Sequence, residues 1–136
     1  MKKTKDGLKT PILFIGMKHP ENLAVLQLFA DHHGYSTHDT TLAGNLIRKA
    51  WLEKKPIGII VIKTETPLKH QEDYQKIIKA AQGARKDKSL QIIMMTDAPI
   101  PQTEWHQKNG IQYAAFDNYD SVADLIHKYQ EKVTET

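Results

Sequence analysis

The sequence predicts an α/β protein, a parallel sheet with helices packed on both faces. Three observations carry that prediction. Apolar runs alternate along the chain with stretches of helical period. The strongest runs, "PILFIG" (11–16), "IGIIVIK" (57–63) and "LQIIMMT" (90–96), are apolar at successive positions, as strands covered on both faces require. Five strand signals alternate with five helix signals, an order that implies parallel strands joined by helical crossovers.

Each element has its local reason. After "PILFIG", Pro20 and Glu21 suit a helix start, where a missing amide costs little and negative charge is favoured. Leu23, Leu26 and Ala30 continue at helical spacing until Gly34 ends the helix. "YSTHDT" (35–40) is a more polar strand, suited to a sheet edge. Leu42, Leu46 and Ala50 mark a second helix, with Ile47 and Trp51 widening its apolar stripe and Thr40 or Thr41 available as its cap. "IGIIVIK" is β-branched and apolar. The segment 70–83 sets Tyr74, Ile77, Ile78 and Ala81 on one helical face, and the charged turn "ARKDKS" leads into "LQIIMMT". "TEWHQKN" is a short fourth helix between Pro101 and Gly110, and "IQYAAF" (111–116) a fifth strand. Ser121 with Asp124 reads as a capping pair for a last helix that buries Val122, Leu125, Ile126, Tyr129 and Val133. A polar second strand at the edge favours the flavodoxin-like strand order 2-1-3-4-5, a (βα)5 three-layer sandwich.

Composition narrows the function classes. The 136 residues are expected to form one domain, with an ordered core at about 10–133 behind a basic tail, 1–9. With no Cys there is no disulfide, thiol nucleophile or thiolate metal site. No apolar run reaches membrane-spanning length, and no cleavage site follows the basic start, so a cytoplasmic protein is expected. A net charge of +3, spread along the chain, argues against nucleic acid as a partner.

Ligands of such sheets bind beyond the carboxyl ends of the strands. The residues there are Met17, Lys18 and His19 after strand 1, Lys63 to Thr66 after strand 3, Thr96 and Asp97 after strand 4, and Asp117 and Asn118 after strand 5. In these stretches the chain resembles the response-regulator receiver family, over roughly residues 10 to 133. "PILFIGMKHPENLAVLQLFADHHGYST" is similar to the receiver opening of strand, acidic pair, proline and helix. "IIVIKTETP" is similar to the strand that bears the phosphoacceptor aspartate and its closing proline, "IIMMTDA" to the strand ending in the switch hydroxyl, and "NGIQYAAFDNYDSVADLI" to the last quarter.

The resemblance implies a degenerate site. Counting from Pro20, the metal-binding acidic pair falls on Met17 and Lys18. Counting back from Pro67, the phosphoacceptor falls on Lys63. The family's lysine falls on Asp117, or on Asn118 if the register slips by one, and only Thr96 keeps its identity. Phosphoryl transfer to a receiver needs a carboxylate nucleophile and a divalent cation held by oxygen ligands. A lysine has donors only. Two ammonium groups at one sheet end would also repel Mg²⁺, at roughly 4 kcal/mol per unit charge pair for ~4 Å and a dielectric of about 20.

Two readings of Lys63 stay open: it points into solvent at a strand end, or it pairs with Asp117 as a charge-swapped lock between the two loops. In the second case, removing Asp117 would strand a lysine at a cationic site and cost more than removing Lys63. Thr96 is either a turn residue bonding its own backbone or a vestigial switch. Trp105, Tyr113 and Tyr119 are core, or, if exposed together, a partner-binding patch. His32, His33 and His38 read as solvated surface, and no metal or cofactor is expected.

The functional expectation is a phosphorylation-independent, receiver-like signalling protein in a two-component or related context. No enzymatic activity is expected of it. Its output would pass to a signalling protein (a kinase, regulator or output protein) or to self-association, through the face of helix 4, strand 5 and helix 5. The alternative is a flavodoxin-like module binding a small ligand, an anion or nucleotide held by Lys18 and Lys63, or a cobalamin. "MKHPEN" keeps only His19 of a cobalamin loop, and no phosphate loop for flavin follows "FIG".

Overall fold

In the computed structural model the described residues are 11–17, 23–24, 35–37, 40–66, 69–84, 90–98, 108 and 110–135. They form β1 (Ile12–Ile15), β2 (Tyr35–Thr37), α1 (Thr40–Leu52), β3 (Ile59–Lys63), α2 (Gln71–Ala84), β4 (Gln91–Met95), β5 (Gln112–Ala114) and α3 (Tyr119–Glu135). The strands pair in parallel in the order β2-β1-β3-β4-β5. The α/β class with a parallel sheet is as the alternating runs predict. The expected first and fourth helices fall almost wholly outside the described residues, as do Lys18, His19, His32, His33, His38, Pro67 and Trp105.

The successive apolar positions of β1, β3 and β4 divide by strand period between two cores. Leu13, Ile15, Ile60, Ile62, Ile92 and Met94 face α1 and α2, packing with Ala43, Ile47, Ala50, Tyr74, Ile77, Ile78 and Ala81. Ile12, Phe14, Ile59, Val61, Ile93 and Met95 face α3, packing with Met17, Val122, Ala123, Ile126 and Tyr129. Phe14, Ile12, Ile60, Ile62 and Ile93 are among the fully buried side chains. Each such side chain contributes about 1.5–3 kcal/mol through burial.

Two local expectations are corrected. The buried stripe of α1 is Ala43, Ile47 and Ala50, with Leu46 partly buried, while Leu42 and Trp51 are 52% and 54% exposed. Both register choices have helical period, and only packing against β1 and α2 selects one. The helix opens at Thr40. The last helix starts two residues before Ser121. Asn118 is its cap, its Oδ1 accepting from the Ser121 amide at 3.2 Å. Asn is as good a cap as Ser, and the chain reaches it first.

Both ends of β3 are stitched to their neighbours. The Gly58 amide donates to Pro11 O at 3.0 Å and the Gln91 amide to Gly58 O at 2.9 Å. At the other end, Thr64 donates to Met95 O at 3.0 Å and Thr96 to Ala114 O at 2.9 Å, carrying the ladder one residue past the strands. Among the described residues no helix is long and apolar enough to cross a membrane.

Candidate functional site

Strand period decides where Lys63 points. As the last residue of β3 it follows Ile59 and Val61 onto the α3 face, not the α1–α2 face of Ile60 and Ile62. The segment after β5 waits there. Lys63 Nζ lies 3.2 Å from Asp117 Oδ1 and donates a hydrogen bond to the Tyr119 hydroxyl. The ammonium is also 4.4 Å from the centre of the Phe116 ring and 4.8 Å from that of Tyr119. Since β4 lies between β3 and β5, the side chain bridges across the end of β4.

The solvent reading of Lys63 is therefore excluded, and Asp117 is the acid that faces it. The pairing is unequal. The Lys63 side chain is 7% exposed and that of Asp117 77%. The lysine is held chiefly by aromatic walls and a phenol, and the carboxylate reaches it from the water side. This reverses the expected order of the single mutants: Asp117 contributes little in water, and Lys63 keeps three other contacts without it. The aromatic partners were legible only as a spacing, "FDNY", with a ring on each side of Asp117.

The neighbouring loops are tied as well. Asp97 Oδ1 accepts from the Phe116 amide at 3.0 Å, fixing the ring that covers Lys63. Thr96 is buried, and its Oγ1 accepts from the Ala98 amide at 3.1 Å, so it serves as a turn residue. Thr64 Oγ1 accepts from the Thr66 amide at 3.0 Å. Met17, in the position the resemblance gives to a metal-binding acid, is 4% exposed and packs in the α3-side core. Gly16 has φ 84°, and a Cβ there would overlap the carbonyl oxygen of Lys63, so β1 and β3 meet closely beside the site. Tyr113 packs against the α1–α2 core, its hydroxyl buried without a partner among the described residues. Tyr119 packs against the α3-side core. Both tyrosines keep part of their surface exposed.

Burial lowers the pKa of Lys63, but hydrogen bonds to Tyr119 and Asp117, with Coulombic attraction to both, outweigh it and hold the ammonium above its ordinary 10.5. Burial raises Tyr113 and Tyr129, and it raises Tyr74 against an opposing hydrogen bond with Thr64. A pKa higher in the folded chain adds stability that is complete below the unfolded value and is lost as pH climbs through the folded one. All four groups therefore support the fold fully at neutral pH. Urea midpoints should hold level from about pH 8 to about pH 10 and fall beyond, less steeply in Lys63→Met. A midpoint that rises above that range would contradict these shifts.

Comparison with protein-family models, curated proteins and solved structures found no match.

Proposed function

We propose that this chain is a receiver-like signalling protein of complete (βα)5, flavodoxin-like form, non-enzymatic and independent of phosphorylation, acting through protein–protein contact. The observation that carries this reading is Lys63 and its partners. The residue that the resemblance sets at the phosphoacceptor position is a cation, walled by Phe116 and Tyr119 and engaged by Asp117. An ammonium cannot attack phosphorus while protonated and cannot ligate Mg²⁺. It joins the loops after strands 3 and 5, as the two opposed charges of an active receiver do, with the signs exchanged. The small-anion alternative loses support because the Lys63 ammonium is already engaged. The face of β5 and α3, with Trp105 nearby in sequence, is the surface we assign to a signalling partner.

Incubation with acetyl phosphate and Mg²⁺, followed by intact-mass measurement, should leave the mass unchanged. A stoichiometric phosphate adduct would overturn the reading.

A further inference from the structure

The end of α1 carries an unusual combination. Trp51 and Leu52, adjacent in sequence, are 54% and 61% exposed. Arg48, one turn before Leu52, is exposed, as are Lys54 and Lys55 just beyond, and none of the three has an ion pair among the described residues. The helix closes with Lys54 N donating to Trp51 O at 2.9 Å and Lys55 N to Ala50 O at 3.0 Å. That double closure requires a left-handed residue, normally Gly, and here Lys54 adopts φ 64°. A lysine at a glycine position carries a conformational cost, and strain of this kind gathers at functional surfaces.

The same chain presents the complementary surface. Asp120 and Asp124 are exposed along the first turns of α3, beside the partly buried Tyr119 and Leu125. The two surfaces lie at opposite poles. In a parallel sheet the helices return against the strands, so α1 ends where strands begin and α3 starts where they finish.

We propose that the Trp51–Leu52 tip, with Arg48, Lys54 and Lys55, docks on the Asp120–Asp124 start of α3 in a second copy of this chain, head to tail. Apolar side chains rimmed by cations then meet apolar side chains rimmed by carboxylates. This inference stands apart from the reading of Lys63. A contact between two different surfaces leaves one of each free on every dimer, so association continues into chains or closes into rings.

Sedimentation velocity on the full chain at low salt tests it. The weight-average mass should rise at least about twofold between roughly 5 and 500 µM. It should fall back at about 1 M salt, where the screening length shrinks to ~3 Å. Trp51→Glu removes the tip, and Asp120→Asn with Asp124→Lys removes the acidic pole. Each variant alone should be monomeric, and an equimolar mixture should form a dimer that does not grow, because only one productive contact remains. Lys54→Gly should raise the urea midpoint by relieving the backbone while weakening association. A chain monomeric throughout overturns the proposal, as does a mixture that stays monomeric or association that survives Trp51→Glu. A monomeric chain that binds vesicles of phosphatidylserine and phosphatidylcholine through Trp51 also overturns it, assigning the tip to an anionic membrane. Association unchanged by Lys54→Gly also overturns it, since Lys54 would then lie outside the contact.

Discussion

Gly16→Ala should be the most damaging single-methyl change at the site. Two costs add. The φ of 84° is left-handed, and holding a residue with a Cβ there costs about 1–2 kcal/mol. The new methyl would also overlap the backbone carbonyl of Lys63, which cannot rotate away because β3 is paired on both sides. Separating β1 from β3 would disturb both cores, so the total should reach at least ~3 kcal/mol, a large share of a typical ~5–15 kcal/mol. Gly110→Ala is the control. It has φ 61° and, among the described residues, nothing within 4 Å of where the methyl would go, so only the backbone term of about 1–2 kcal/mol applies. Urea unfolding of both variants measures the difference. Equal losses would mean that the close approach of Gly16 to Lys63 carries no energy.

Lys63→Ala should cost about 2–3 kcal/mol, from the buried stem, the two ring contacts and the hydrogen bond to Tyr119. Asp117→Ala should cost ~0–1 kcal/mol, because a carboxylate 77% exposed is largely solvated whether or not it meets the ammonium. Tyr119→Phe keeps the ring and removes the hydroxyl, for about 1 kcal/mol. Double-mutant cycles then separate the contacts: Lys63 should couple more strongly to Tyr119 than to Asp117. A dominant Lys63–Asp117 coupling would restore the simple ion-pair lock and demote the aromatic walls.

Several features of this protein were legible in the sequence because they are local. The runs "ILFI", "IIVIK" and "QIIMM" are strands by composition alone. Tyr74, Ile77, Ile78 and Ala81 declare a buried helical face by spacing, and all four are buried. The meeting of Lys63 with Asp117 was also foreseeable, since strand ends in a parallel sheet share one edge. What the tertiary structure alone decided depends on faces and neighbours. The stripe of α1 could be read through Leu42 or through Ala43, and packing chose Ala43, leaving Trp51 outside. Asn118 took the cap because its side chain reached the Ser121 amide. Which partner matters most to Lys63 was beyond any spacing argument. A lysine satisfies itself with whatever oxygen and ring faces surround it, and those came from Phe116, Asp117 and Tyr119, more than fifty residues away, only when β3, β4 and β5 aligned.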